Sequence, residues 1–109
     1  MAQTLTQQQI RVLAEKAGFS SQNSNTIAAV CKSESAGFAG AHNPNASMGD
    51  NSYGLCQINM LGAMGPERRA KFGISSNEEL KDPLTNLKAA KRIFDEEGFG
   101  AWSDYKNKR

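Results

Sequence analysis

Apolar residues recur at helical spacing near the start of the chain. Four of them are three or four positions apart: Ile10, Leu13, Ala14 and Ala17. This spacing places the four side chains on one face of a helix. Thr6 can cap the N-terminus of that helix and Gly18 can end it, so the pattern predicts a first helix over roughly Thr6 to Ala17.

A second helical stripe follows the polar turn SSQNSN. Its inward face holds three apolar residues: Ile27, Val30 and Cys31. Ser24 or Asn25 is suited to cap the N-terminus of this helix. The next position of the same stripe, seven residues after Ile27, is Glu34. A carboxylate therefore occupies a position where the pattern calls for an apolar side chain.

The middle of the chain lacks a helical pattern. Residues 37–52 are crowded with Gly, Asn, Ser and Pro, which is typical of turns. The stretch YGLCQIN that follows looks briefly extended. A small irregular hairpin across residues 45–59 is therefore predicted.

Helical signals return in the second half of the chain. The stretch GPERRAKFGI predicts a short helix with Pro66 in its first turn, Glu67 near its positive end and Gly73 at its C-terminus. The stretch SSNEEL predicts a further capped turn.

The last helix has the clearest boundaries. Asp82 as N-cap and Pro83 at the first helical position begin it, and Gly98 ends it. Its inward face is predicted to carry Leu87, Ala90 and Phe94. Three aromatic residues beyond it are expected to help close a small core: Phe99, Trp102 and Tyr105. Together these patterns predict a mainly helical α+β fold.

Length and composition describe one small globular domain. The 109 residues are 39% apolar and 22% charged, which is above the disordered range and leaves room for a single core. The net charge of +2 lacks the excess of Lys and Arg expected for a nucleic-acid partner. The segment MAQTLTQQQI has no signal-peptide pattern, and no run of about 18 apolar residues occurs. We therefore expect neither a signal peptide nor membrane insertion.

The chain has two cysteines, Cys31 and Cys56, and one histidine, His42. The cysteines lie neither in a CxxC motif nor beside a His cluster, so no metal site is predicted. Each lies in an apolar stretch, which favours two buried free thiols over a disulfide framework or a catalytic Cys. His42 lies in a Gly, Asn and Pro loop, and a Cys–His pair is not favoured.

The position of Glu34 suits acid catalysis. Half-burial beside Val30 and Cys31, together with the negative end of the helix dipole, disfavours a charged carboxylate, so we expect a raised pKa for Glu34. A carboxylic acid that keeps its proton near neutral pH can protonate the leaving oxygen when a glycosidic bond breaks. The alternative is an ordinary carboxylate, solvated at a frayed helix end.

Several motifs, in their order and spacing, resemble the lysozyme superfamily, in particular soluble lytic transglycosylases and phage lysozyme-like domains. They are ES at 34–35, NPNA at 43–46, SYGLCQIN at 52–59, and DPLTNLKAAKRIF followed by GFGAWSDYK. The resemblance covers most of the chain. It implies a lysozyme-like fold in which a catalytic Glu at a helix end faces a β-hairpin across a saccharide cleft.

On that resemblance, Glu34 is the catalytic acid and then the base, and no cofactor is expected. Ser35 is expected to support the helix end. The implied substrate-binding residues are Ser35, Ser52, Tyr53, Gly54, Gln57 and Asn59.

The side chains of this set fit a sugar. The amides of Gln57 and Asn59 can donate to and accept from N-acetyl and hydroxyl groups. Gly54 lets the backbone come close to a sugar ring, and Tyr53 can pack against one. The alternative is that these residues serve only turn structure or core packing. This alternative is least favoured for Gln57, because its amide is costly to bury without partners.

The identity of the residue before Tyr53 decides which mechanisms of glycosidic cleavage can be considered. In animal-type lysozymes an Asp stands there and serves as the second carboxylate, whereas this chain has Ser52. Either the 6-hydroxyl of N-acetylmuramic acid attacks its own anomeric carbon and gives a 1,6-anhydro product, or a water held by a remote acid hydrolyses the bond. Asp50 is the candidate for positioning that water, at about 6.5 to 9.5 Å from Glu34. Because GDNS is also a turn signature, the intramolecular route is preferred.

Two aromatic residues have alternative roles. Trp102, the only Trp, is either a platform on which sugars stack or a part of the core, and its place after the last helix favours the core. Phe38, just beyond Glu34, is open to the same two interpretations.

The sequence thus predicts a peptidoglycan lytic transglycosylase that cleaves the β-1,4 bond between N-acetylmuramic acid and N-acetylglucosamine. A hydrolytic lysozyme is the first alternative, and a non-catalytic glycan-binding or structural virion module is the second. Retention of Glu34 favours an enzyme. The expected partner is a peptidoglycan glycan strand, met at the bacterial wall in the periplasm or outside the cell. A phage lysis product or virion component fits these features, either as a monomer or as a domain of a larger virion protein.

Overall fold

Four α-helices and a small antiparallel sheet make up residues 3–102, which are the residues that the computed structural model describes. The helices are α1 (Gln7–Lys16), α2 (Ser21–Ser35), α3 (Met64–Phe72) and α4 (Pro83–Glu97). The strands are β1 (His42–Asn43), β2 (Ser52–Tyr53) and β3 (Ile58–Asn59). Short 3₁₀ turns occupy Ala46–Met48, Asn77–Lys81 and Phe99–Ala101. The fold is α+β, mainly helical and lysozyme-like, as the sequence predicted.

The N-terminus of α1 is closed by a capping box. The hydroxyl of Thr6 accepts a hydrogen bond from the backbone N–H of Gln9 at 3.1 Å, and the amide oxygen of Gln9 accepts one from the N–H of Thr6 at 2.9 Å. Ile10 and Ala14 on the inward face are fully buried. The prediction of the first helix is confirmed.

The second helix, α2, begins earlier than its sequence signals predicted. Its cap is Ser20, whose hydroxyl accepts a hydrogen bond from the backbone N–H of Asn23 at 3.1 Å, and not Ser24 or Asn25. Ser and Asn are about equally good caps, so local chemistry does not choose among them. The side chain of Phe19 is buried directly before the cap, and this anchor fixes where the chain enters the helix.

The sheet has the order β1-β2-β3, with both pairings antiparallel. Ser52 in the central strand lies opposite Asn43 on one side and Asn59 on the other. The predicted hairpin across residues 45–59 corresponds to β2 and β3. The sheet extends further than predicted, because β1 lies before that range.

The second half of the chain follows its predicted caps. Gly73 ends α3 in a left-handed conformation, and the side chain of Asp82 accepts a hydrogen bond from the N–H of Thr85 at 3.0 Å to begin α4. In the capped turn between them, backbone N–H groups of Ser75 and Ser76 donate to Glu79 and lower the pKa of that carboxyl.

The two cysteines form a disulfide, so the expectation of free thiols is wrong. Cys31 and Cys56 are 25 residues apart in sequence, with their Cα atoms at 4.3 Å, and both are fully buried. Cys31 lies on the inward face of α2 and Cys56 in the buried turn between β2 and β3, and the apolar residues around each predicted its burial. The sequence pattern did not reveal that these two positions face each other.

The core gathers beneath α4. Leu87 and Ala90 are fully buried, and Phe94 is partly buried with its ring 5.4 Å from that of Phe19 and 4.6 Å from that of Phe99. Trp102 is 4% exposed, which confirms its place in the core. Tyr105, the third aromatic expected here, lies outside the described residues. Within residues 3–102, the helices are too short or too polar to cross a membrane.

Candidate active site

Glu34 lies next to the last residue of α2, and its side chain is half-buried. The helix ends in an ordered way behind it. The hydroxyl of Ser35 donates to the carbonyl of Cys31 at 3.0 Å and accepts from the N–H of Gly37 at 3.1 Å, while Ala36 adopts the left-handed conformation at φ 56°. Glu34 therefore stands on a capped helix end rather than a frayed one. Ser35 supports that end, and its contact with substrate stays a prediction.

The chain beyond α2 is tied to the N-terminal segment. The N–H of Leu5 donates to the carbonyl of Gly37, and the N–H of Ala39 donates to the carbonyl of Gln3, both at 2.8 Å. The ammonium of Lys32 adds hydrogen bonds to the carbonyls of Leu5 and Ala36 at 3.1 Å. These contacts hold the exit from the Glu34 helix in place.

Phe38 points away from the core in this same segment. Its side chain is 43% exposed, and it pairs with Thr4 in an isolated β-bridge. The core interpretation of Phe38 is therefore wrong, because the bridge turns this position outward. A contact between Phe38 and a sugar stays a prediction.

The segment from Tyr53 to Asn59 was predicted to be one wall of a saccharide cleft, which stays a prediction, and we call this segment the wall below. It is joined to the helix of Glu34 through the disulfide. Cys31 lies three residues before Glu34, close to one helical turn, and Cys56 directly precedes Gln57. The covalent bond thus links the acid-bearing helix to the centre of the wall.

Asn86 in α4 holds the backbone of the wall from beneath. Its amide oxygen accepts from the N–H of Cys56 at 2.9 Å, and its amide nitrogen donates to the carbonyls of Tyr53 and Leu80 at 2.9 and 2.8 Å. The residue is fully buried, so each of these bonds is made away from water. The sequence reasoning missed Asn86.

A signal for this role was present in the sequence. Asn86 begins an apolar stripe of α4 that continues at i+3, i+4 and i+7 with Ala89, Ala90 and Ile93. An amide on such a stripe must find buried partners. Glu34 was noticed by the same argument, and Asn86 was not.

Gly54 has a structural role within the protein. Its φ is +78°, and a Cβ at this position would lie 2.2 Å from both the amide nitrogen of Asn86 and the carbonyl oxygen of Leu80. The residue is buried. Gly54 therefore lets the wall approach α4, and the predicted approach of its backbone to a sugar ring stays untested.

Trp102 holds the carbonyl group of Cys56, as Asn86 holds its N–H. Its indole N–H donates to the carbonyl of Cys56 at 2.9 Å. With the bond from Asn86, both peptide groups that flank the Cys56 side chain are fixed by buried side chains. The backbone of the wall is therefore held independently of the disulfide.

A depression of about 230 Å³ lies against the wall. Its lining includes Gln57, Asn59 and Trp102, together with Arg68 of α3 and Glu97 of α4, but not Glu34. The guanidinium of Arg68 donates to the carbonyl of Asn59 at 2.9 Å and lies 3.8 Å from the carboxylate of Glu97. A larger depression of about 630 Å³ is lined by residues 3–13 and contains none of the candidate site residues.

The polar side chains of the wall differ in how many of their hydrogen-bonding groups are already used within the protein. The amide of Asn59 accepts from the N–H groups of Asn51 and Leu61 at 3.0 and 3.1 Å, and donates to the carbonyl of Gly49 at 2.8 Å. Asn59 thus organises the preceding loop. Gln57 is half-buried in the depression, and its NH₂ group donates to the carbonyl of Gly54 at 3.0 Å.

Gln57 has an unusual backbone conformation, and the side chain of Tyr53 is covered by a neighbouring ring. Gln57 has a φ of +51°, a left-handed conformation that is uncommon for a residue with a side chain. The ring of Tyr53 is 7% exposed and stacks on that of His42 with centroids 4.2 Å apart. His42 also hydrogen bonds to the side chain of Asn51 at 2.8 Å. Tyr53 therefore offers little surface to a ligand.

Ser52 and Asp50 are brought together. The hydroxyl of Ser52 donates to a carboxylate oxygen of Asp50 at 2.9 Å. Ser52 is 3% exposed, whereas Asp50 is half-buried. The structure thus turns the hydroxyl of residue 52 toward an acid two positions earlier.

Comparison with known proteins found a matching family and a similar protein. A family model described as a lysozyme-like domain matches residues 11–104. Lysozyme P of Drosophila melanogaster is 35% identical over an alignment of 82 residues, which covers 71% of this chain and 58% of that protein. The chain thus spans somewhat more than half the length of this relative. Glu34, the wall and Asn86 all lie within the range that the family model matches.

Proposed function

The chain belongs to the lysozyme-like domain family, and on that premise we propose that it is a peptidoglycan lytic transglycosylase with Glu34 as its single catalytic residue. The family and the relative named a lysozyme support cleavage of a glycosidic bond. The proposed bond is the β-1,4 linkage between N-acetylmuramic acid and N-acetylglucosamine. The proposed site of action is the bacterial wall.

Glu34 acts in two steps. It first gives its proton to the bridging oxygen, so that N-acetylglucosamine leaves with a free 4-hydroxyl. The resulting carboxylate then accepts the proton of the muramoyl 6-hydroxyl while that oxygen bonds to the anomeric carbon. The product is a 1,6-anhydro sugar, no water is consumed, and Glu34 is again protonated.

The observation that carries this proposal is that Ser52, with a buried hydroxyl bonded to Asp50, occupies the position of the second carboxylate. A buried hydroxyl that already donates to Asp50 offers no charge or nucleophile to an anomeric carbon. Double displacement through residue 52, as in enzymes with two nearby carboxylates, is therefore disfavoured. Attack by the 6-hydroxyl of the substrate needs no second acid.

The same hydrogen bond favours a second candidate, a hydrolytic lysozyme. It brings the half-buried carboxylate of Asp50 to the side chain of residue 52. In this mechanism Glu34 protonates the leaving oxygen and Asp50 positions a water for attack from the opposite face. The product then carries an ordinary reducing end.

Binding is proposed in the depression along the wall. Gln57 lines this depression, and we assign the oxygen of its side-chain amide the contact with the N–H of an N-acetyl group, because its NH₂ group already donates to the carbonyl of Gly54. Asn59, Tyr53 and Gly54 shape the wall through their own contacts within the protein. The disulfide is compatible with action outside the cytoplasm, because disulfides persist in oxidising compartments. A phage lysis product or virion component remains the proposed biological setting.

The test is mass analysis of fragments released from purified peptidoglycan. Anhydro-muramoyl products, each one water lighter than the hydrolysed species, are expected with the native chain. Glu34→Gln keeps the shape of the side chain but has no proton to give, so release should stop while circular dichroism stays unchanged. Products with reducing ends would instead favour the hydrolase. Binding of glycan strands without any release would assign the non-catalytic role.

A further inference from the structure

We propose that the Cys31–Cys56 disulfide positions the acid for the reaction, so that the oxidised chain is the active form and the folded dithiol chain is a weak catalyst. This inference rests on the proposed function. It concerns two residues that touch no substrate and act through their neighbours. Their role is to fix the helix end that carries Glu34 against the wall that carries Gln57.

The first step of the argument is the placement of the bond. It joins the last turn of α2, three residues before Glu34, to the residue directly before Gln57. The catalytic acid and the proposed sugar contact are therefore separated by two short backbone segments and one covalent cross-link. A disulfide elsewhere in the core would leave this relation unaffected.

The second step concerns the contacts that hold the two parts joined by the disulfide, which are the wall and the end of α2. The wall side is fixed to α4 and the segment after it, through the bonds of Cys56 with Asn86 and Trp102. The helix side is fixed to its own end and to the N-terminal segment, through Ser35 and Lys32. These two sets of contacts order each part, and the parts also meet just beyond α2, where the N–H of Gly54 donates to the carbonyl of Ala41 at 2.7 Å. The disulfide is the covalent bond between them.

The third step is the sensitivity of catalysis to this relation. Proton transfer needs the acid within hydrogen-bonding distance of the leaving oxygen, and a misplacement of about 1 Å can lower a rate on the order of a hundredfold. Without the cross-link, the end of α2 can shift relative to a wall that stays on α4. Binding in the depression would then survive while the chemical step slows.

Formation of the bond is a balanced two-electron step. The two thiols lose two electrons and two protons, and an exchangeable disulfide, such as oxidised glutathione or a disulfide oxidoreductase, takes them up and becomes a dithiol. Reducing compartments keep the two cysteines as free thiols, and oxidising compartments favour the disulfide. Under this inference the enzyme reaches full activity where a cell wall is exposed to it.

The experiment compares four forms of the full chain on soluble, uncross-linked glycan strands. They are the oxidised chain, the chain refolded and kept in a phosphine reductant, the variant Cys31→Ala/Cys56→Ala, and Ile10→Ala as a destabilised control that keeps the disulfide. Ile10 is fully buried in α1, so its truncation lowers stability without touching the wall. Thiol titration verifies the redox state, and circular dichroism verifies that each form is folded at the assay temperature.

We expect kcat to fall at least about tenfold in the reduced chain and in the double variant, with KM within about twofold of the oxidised chain. The Ile10→Ala control should melt at a lower temperature and keep its kcat. Equal kcat in the oxidised and double-variant forms would reduce the disulfide to a stabilising role and overturn the inference. So would an equal loss of kcat in Ile10→Ala.

Two further outcomes are informative. If neither disulfide-free form folds, the bond is a requirement for folding and the positioning role is rejected. If the oxidised chain itself releases no fragments, the proposed function fails, and this result is distinct from a loss confined to the disulfide-free forms.

Discussion

The side-chain oxygen of Asn86 accepts a hydrogen bond from the backbone N–H of Cys56 at 2.9 Å. This contact joins the N-terminal part of α4 to the centre of the wall across a sequence separation of 30 residues. The same amide donates to the carbonyls of Tyr53 and Leu80. One buried side chain therefore sets the position of the wall on the helical part of the fold.

Replacement of Asn86 by Asp should destabilise the protein strongly. The carboxyl keeps an acceptor for Cys56 but leaves the carbonyls of Tyr53 and Leu80 without their donor, in a fully buried site. We expect a loss of about 3 kcal/mol or more in the free energy of unfolding, measured by urea denaturation. Asn25→Asp, at an exposed position of α2, should change it by less than about 0.5 kcal/mol. A loss below about 1 kcal/mol at Asn86 would contradict this account.

Two glycines with nearly the same backbone angle allow a matched comparison. Gly54 and Gly49 have φ values of +78° and +80°, but a Cβ would collide with Asn86 and Leu80 only at Gly54, and it would meet nothing within 4 Å at Gly49. Gly49→Ala should cost about 1 to 2 kcal/mol through backbone strain alone. Gly54→Ala should cost about 2 kcal/mol more because of the collision. Thermal or urea unfolding tests this, and equal costs would show that the close approach to α4 is unimportant.

Asp50→Asn distinguishes the two proposed mechanisms. The amide can still accept the hydrogen bond from Ser52 but cannot take a proton from a water. If the 6-hydroxyl of the substrate is the nucleophile, release of anhydro products should stay within about threefold of the native rate, because no second acid takes part. Fragment release is followed by chromatography with mass detection. Loss of nearly all release would assign Asp50 a direct part in the reaction.

Ser52→Asp tests whether residue 52 can be made to support hydrolysis. The new carboxyl would lie beside Asp50, and two adjacent carboxylates raise the pKa of one of them. We therefore expect hydrolysed products with reducing ends to appear and to increase as the pH rises and both groups ionise. Ser52→Asn, of similar size and without charge, should give anhydro products alone. Identical products from the two variants would rule out a role for charge at this position.

Local chemistry made much of the helical framework predictable. Thr6, Asp82 and Gly98 act at helix ends through contacts within a few residues, and such contacts are readable from short stretches of sequence. The start of α2 was misjudged because several polar residues could cap it equally well. The deciding contact there is the burial of Phe19, which depends on the rest of the fold.

The candidate site was less predictable because its determinants are distant in sequence. Glu34 attracted attention as an acid on an apolar stripe, and Asn86 passed unnoticed although the same argument applied to it. The partner of Cys31 is 25 residues away, and apolar surroundings alone indicate burial without indicating what lies opposite. The hydrogen bonds of the Asn59 amide likewise depend on how the loop at residues 49–51 folds back.

The short pairing between Gln3–Leu5 and Gly37–Ala39 gives the molecule a mechanical property. A pull on the chain at Gln3 is resisted first by the two backbone hydrogen bonds of this pairing, which lie directly beyond the end of the acid-bearing helix. Force on anything fused ahead of Gln3 would therefore reach the neighbourhood of Glu34 before it reached α4. Tension applied at the N-terminal end would therefore act on the end of α2 that carries Glu34. The wall is held from the other half of the chain, by Asn86 of α4.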